Sequence, residues 1–104
     1  MSFDYGSMMK QAKIMQKKIQ GIKKELEEME FEASAGGGAV KVRINGSQEI
    51  IGVDIDKEMV KPGDLDMIED MVMVALNDAI KQSKDEARKK MSVLTGGMNI
   101  PGLF

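Results

Sequence analysis

The sequence predicts an α+β domain with the element order α-β-β-β-α, and three observations carry that prediction. Apolar residues between 8 and 29 recur at steps of four and three, as one stripe of a helix does. Those between 39 and 55 fall into two short alternating runs around an Asn-Gly pair. Beyond Pro62-Gly63 the spacing becomes helical again for about thirty residues. At 104 residues the chain is expected to form one domain spanning 1–104, a two-layer subunit with an antiparallel meander and little core to spare.

The first helix carries a heptad seam. Met8, Ala12, Met15, Ile19, Ile22, Leu26 and Met29 lie on it, with Ala12, Ile19 and Leu26 at a and the rest at d, the pattern of a helix pressed along another helix. Ser7 is placed to cap the first turn, and the pattern continues to Met29 or Glu30. At ~1.5 Å per residue that helix is roughly 35 Å long. Gly21 interrupts it at a surface c position, at a cost of about 1 kcal/mol relative to alanine.

A short strand is expected over Phe31–Ala35, followed by a turn at Gly36-Gly37-Gly38. In the next strand Val40, Val42 and Ile44 share one face and Lys41 and Arg43 the other. Asn45-Gly46 predicts a tight hairpin, because both residue types tolerate positive φ. The third strand, from Glu49 to Ile55, would turn Ile51, Val53 and Ile55 inward.

The second helix should begin after Lys61-Pro62-Gly63-Asp64, with Asp66 and Glu69 as a capping box. Between Ile68 and Leu76 apolar residues cover most of the helix circumference, which predicts deep burial. Past Ile80 the stripe thins to Ser83, Ala87, Met91 and Leu94. Gly96-Gly97 would then stop the helix and Pro101 prevent its resumption.

These lengths point to a partner. A strand of five or six residues spans only ~17–20 Å, so a small meander covers about half of a 35 Å helix. The rest of the seam needs either the second helix or a second copy of the chain. The 11 methionines suit an adaptable interface, and the pattern favours a homodimer. Met15, Ile19, Ile22, Leu26, Met71 and Val74 are the residues expected in it.

Composition excludes most chemistry. Cysteine and histidine are absent, leaving no thiolate ligand, no cysteine nucleophile and no imidazole base. The triple glycine lacks the following lysine, hydroxyl residue and helix of a phosphate-binding P-loop. Asp54-x-Asp56 has no third carboxylate at ligand spacing and reads as a solvated strand end. Neither an enzyme, a small-molecule substrate, a metal nor a cofactor is expected. The longest apolar run, Met71–Leu76, is too short for a membrane span, and no secretory signal is visible, so a cytoplasmic location is expected.

The formal net charge of −2 hides a segregation. Residues 1–24 hold six lysines against Asp4, and residues 25–38 hold five glutamates and no base. That order opposes the helix dipole, which favours acids at the N-terminus. A locally disfavoured arrangement of this kind marks a functional feature. Lys10, Lys17 and Lys24 at f positions, with Lys13 at b, stand opposite the seam, and Lys18 and Lys23 flank them. Lysines one or two turns apart match backbone phosphates, which require point charges rather than a directional fork. With two arginines and four aromatics the chain has few base readers and no stacking platform. A nucleic-acid partner would therefore be duplex DNA, bound with weak sequence preference. Arg88, Lys89 and Lys90 form a second basic group, better read as compensation of a helix C-terminus. The competing readings are a solvated helix face and an adaptor docking a protein along the methionine-rich seam and the acidic half, Glu25–Glu32.

Several stretches resemble the YbaB/EbfC family of bacterial nucleoid-associated proteins: Met8-Met9-Lys10-Gln11-Ala12, Ala35-Gly36-Gly37-Gly38-Ala39-Val40-Lys41-Val42 with Asn45-Gly46, and Val53-Asp54-Ile55-Asp56. Glu69-Asp70-Met71, Leu76-Asn77-Asp78-Ala79 and Leu94-Thr95-Gly96-Gly97 through Pro101-Gly102 extend the resemblance over nearly the whole chain, in order. It implies an α-β-β-β-α subunit whose dimer stacks as three α/β/α layers with projecting first helices. It also implies DNA binding in the bacterial cytoplasm, without enzymatic activity or cofactor.

Overall fold

The computed structural model describes residues 4–95. Its elements are α1 (Tyr5–Glu28), β1 (Glu30–Ala35), β2 (Val40–Asn45), β3 (Ile50–Ile55) and α2 (Leu65–Thr95), the predicted order. The three strands form one antiparallel sheet, β1-β2-β3. Gly96-Gly97 and Pro101, the expected end of α2, lie outside the described residues.

The core is the contact between β2 and α2. Val40, Val42 and Ile44 are fully buried against Ala75 and Ala79, one turn apart on α2. Those two small side chains let the helix backbone approach the branched residues of the central strand closely. The register puts Phe31 opposite Ile44, Ala33 opposite Val42 and Ala35 opposite Val40, so β1 extends the same apolar face. Met71, Val72, Leu76 and Ile80 close it from the helix side.

The third strand departs from expectation. Val53 and Ile55 pair with Val42 and Val40, so they do lie on the core face, yet they are 43% and 39% exposed. Ile50 and Ile51 are also exposed, with a bulge between Arg43 and Ile44 in the register. A helix is ~10 Å across and strands lie ~4.8 Å apart, so one helix covers two strands. Here α2 covers β1 and β2 and leaves β3 bare. The deep burial expected over Ile68–Leu76 holds only on the face toward the sheet, where Ala75 is buried and Met71, Val72 and Leu76 pack on the core, whereas Met73 and Val74 remain at least half exposed.

The turns use different atoms from those predicted. Asp4, not Ser7, caps α1: its Oδ1 accepts the Ser7 backbone N–H at 3.1 Å. Asp66 falls inside the first turn of α2, and Asp64 precedes the helix. The Asp64 carboxylate accepts the Lys61 N–H at 3.0 Å, while its carbonyl accepts the Ile68 N–H at 2.9 Å. The triple glycine is the β1–β2 turn, with φ of 66°, 67° and 99°, a path closed to ordinary side chains. Between β2 and β3 the positive φ falls on Gln48, at 62°, not on Asn45 or Gly46. Asn45 builds that turn with its side chain, accepting the Ser47 and Glu49 N–H groups at Oδ1 and donating to Glu49 Oε1.

Gly46 joins this turn to the end of α1. Its N–H donates to the Leu26 carbonyl at 2.7 Å, and a Cβ added there would lie 2.5 Å from the same oxygen and 2.9 Å from Leu26 Cα. The neighbour is backbone and cannot swing away. Gly46→Ala is therefore expected to lower stability by about 1–3 kcal/mol, measurable as a reduced urea midpoint.

Candidate nucleic-acid interface

The overall dimensions, 73 × 21 × 16 Å, are those of an elongated molecule. From Tyr5 to Lys18 every residue of α1 is exposed, and Ile19 is the first that is half-buried. The free part of the helix is fourteen residues, about 21 Å at 1.5 Å per residue.

The seam is thus divided. Met8, Ala12 and Met15 are solvent-exposed, Ile19 and Ile22 are half-buried, and Leu26 is buried at 4% exposure. Ile22 lies with Lys18, Gly21 and Glu25 along a shallow groove shared with Val93 and Leu94 of α2. Lys90 of α2 reaches Glu25 at 3.5 Å across the same junction. Leu26 sits between the β2–β3 turn and α2, beside Gly46, Ala87 and Met91. The two remaining expected interface residues belong to α2: Met71 is half-buried and Val74 half-exposed.

All six lysines of α1 are exposed, and among the described residues none makes an ion pair. At about 100° per residue, Lys10, Lys13, Lys17 and Lys24 fall within one ~60° sector opposite the seam. Lys18 and Lys23 lie on either side of the seam instead, each lining a groove at the α1–α2 junction. The structure therefore separates one aligned row of four cations from two cations at the junction.

On α2 the second basic group is already engaged in part. Lys90 is tied to Glu25, and Arg88 lies 3.9 Å from Asp85. Lys81 donates to Asp85 at 2.8 Å; this hydrogen bond holds the Asp85 carboxyl below its ordinary pKa and raises that of Lys81. Arg88 and Lys84 instead face a cleft with Lys23, a grouping that sequence spacing did not reveal. Asp54 and Asp56 serve local structure. Asp54 lies 3.7 Å from Arg43, and Asp56 accepts the Glu58 N–H at 2.9 Å. Among the described residues no group of three or more acidic, histidine or cysteine side chains could hold a metal ion.

Residues 1–98 match the YbaB/EbfC DNA-binding family. The chain belongs to that family. A nucleoid-associated protein of Clostridium novyi is 47% identical over 98 residues, which cover 94% of this chain and 86% of the relative. One from Desulforamulus reducens is 45% identical over 104 residues, 100% of this chain and 99% of that protein. Among solved structures, an uncharacterized protein from Helicobacter pylori superposes with a TM-score of 0.79 at 25% identity, covering 92% of this chain and 100% of the other. YbaB/EbfC proteins are a DNA-binding family and not an enzyme family, in line with the absence of a catalytic constellation in the sequence. The adaptor reading gains no support from these relationships. No helix among the described residues is long and apolar enough to cross a membrane.

Gly21 of this YbaB/EbfC chain lies where the free part of α1 meets the body, with nothing within 4 Å of an added Cβ. Gly21→Ala is expected to stabilise α1 by about 0.5–1 kcal/mol through helix propensity alone. A rise in melting temperature with unchanged mass would register it.

Proposed function

We propose that the chain binds duplex DNA as a homodimer, mainly through backbone phosphates and with weak sequence preference, in the bacterial nucleoid. Contributions to nucleoid organisation and gene regulation would follow from that binding. The observation carrying this reading is the row Lys10, Lys13, Lys17 and Lys24, four cations with no ion-pair partner among the described residues, on one face of a helix that stands clear of the body. Such a row tracks a phosphate backbone without reading base edges. Lys18 and Lys23 assist from the root of the helix. The family assignment supports DNA as the ligand, and the names of the relatives support the nucleoid.

Homodimerisation is supported by apolar surface that this chain leaves open. Val53 and Ile55 on β3 and Met67 and Val74 on α2 lie beyond what one helix and three strands cover. Met15, Ile19, Ile22, Met71 and Val74 contribute to the proposed interface, with Leu26 supporting it from within its own chain. Pairing two copies presents two lysine rows to one duplex. A gel-shift series across salt concentrations tests the reading: affinity should fall steeply with salt and differ little between unrelated sequences. Binding that ignores salt, or that needs one particular sequence, would overturn it.

A further inference from the structure

One cleft lies outside the lysine row. It occupies roughly 380 Å³ between the end of α1, the β2–β3 turn and the C-terminal half of α2, within the size range of small-ligand sites. Its floor is Leu26, Ala87 and Met91, each more than nine-tenths buried, and three cations from two helices, Lys23, Lys84 and Arg88, stand around it with their aliphatic stems and one acid, Glu27. Neither Lys23 nor Lys84 makes an ion pair among the described residues. Asp85, the acid nearest to Arg88, is held at 2.8 Å by Lys81 and only at 3.9 Å by Arg88.

The wall formed by the turn is fixed in place. Gln48 keeps a positive φ of 62°, uncommon for a residue with a side chain, and its amide donates to the Gly46 carbonyl at 2.8 Å and to Ser83 Oγ at 3.1 Å. Ser83 is fully buried and donates in turn to the Asn45 carbonyl at 2.7 Å. A backbone conformation held against its preference by a buried network is the kind of rigidity found at binding sites.

We propose that this cleft binds a small phosphate monoester carrying an apolar group, with the apolar part against Leu26, Ala87 and Met91 and the phosphate among Lys23, Lys84 and Arg88. The charge balance fits: three cations against Glu27 leave two positive charges, matching a phosphate dianion. The apolar lining distinguishes this site from the lysine row, which offers a phosphate nothing but charge. Duplex DNA carries its phosphates on the outside of a wide rod and keeps apolar groups such as the thymine methyls within its grooves, where they cannot enter the cleft with a phosphate. The inference does not depend on how the lysine row is used.

Phenyl phosphate is the probe, titrated into the intact protein while backbone amide signals are followed by NMR. The expected result is saturable shifts at Gly46, Ser47, Gln48, Ala87, Arg88 and Met91, with inorganic phosphate and benzyl alcohol each binding far more weakly. Lys84→Gln combined with Arg88→Gln should weaken phenyl phosphate at least about tenfold, because two charge-assisted contacts are lost. Both side chains are exposed, so an unchanged melting temperature should accompany that loss. Non-saturating shifts spread over Lys10, Lys13, Lys17 and Lys24 would overturn the proposal. So would equal binding of inorganic phosphate, which would remove the apolar lining from the account. A response of the cleft to a duplex oligonucleotide but not to phenyl phosphate would overturn it in favour of a DNA phosphate.

Discussion

Replacing Lys10, Lys13, Lys17 and Lys24 together with glutamine should nearly abolish DNA binding at physiological salt while leaving the fold intact. The four side chains are exposed and make no ion pair among the described residues, so melting temperature should change little. Each phosphate contact contributes about 0.9 to the slope of log affinity against log salt. Losing four contacts should flatten that slope by about 3.6, and by up to about 7 where both protomers of a dimer engage the duplex. The loss should be similar on unrelated sequences, since backbone contacts carry no base information. Lys57→Gln with Lys61→Gln, two exposed lysines between β3 and α2, serves as the control for overall charge. A quadruple variant that keeps wild-type affinity and slope would reduce the row to a solvated helix face.

Much of this architecture is legible in the sequence because local rules and global packing agree there. The alternation of Val40, Val42 and Ile44 marks the strand that the structure buries completely, and three consecutive glycines mark a turn that other residues could not follow. The failures lie where several residues of suitable type compete for one role. Asp4 and Ser7 are both good caps three residues apart, and the helix starts at the earlier one. Asn45-Gly46 has the composition of a tight hairpin turn, yet Gly46 is bound by its N–H to the end of α1, and the left-handed residue moves to Gln48.

Burial is harder to read than periodicity. The pattern places Val53 and Ile55 on the right face of β3, but a face is buried only where another layer reaches it, and α2 stops at β2. The same distinction applies to α1. Its heptad seam is continuous from Met8 to Met29, whereas its burial starts at Ile19. The candidate site was half legible for a related reason. The row of four lysines follows from helix spacing within a single element. The grouping of Lys23 with Lys84 and Arg88 depends on how α1 packs beside α2, about sixty residues away in sequence, and no local period encodes it.

Val53→Glu combined with Val74→Glu should convert the proposed dimer to a folded monomer. Both valines are about half exposed in the single chain, at 43% and 50%, so their replacement should leave the subunit's own core intact. In a dimer they would be covered, and burying even one unpaired charge costs several kcal/mol. Since about 1.4 kcal/mol is a tenfold change in dissociation constant, the dimer should weaken by at least a thousandfold. Sedimentation equilibrium at micromolar concentration should give twice the chain mass for the wild type and the chain mass for the variant, with helix content retained in both. DNA affinity should fall in parallel, with a salt slope near half the wild-type value, because one protomer offers one lysine row. A wild-type chain that sediments as a monomer would refute the dimer itself. A variant that remains dimeric would exclude the β3–α2 surface and leave the α1 seam, where Ile19→Glu should then dissociate the pair.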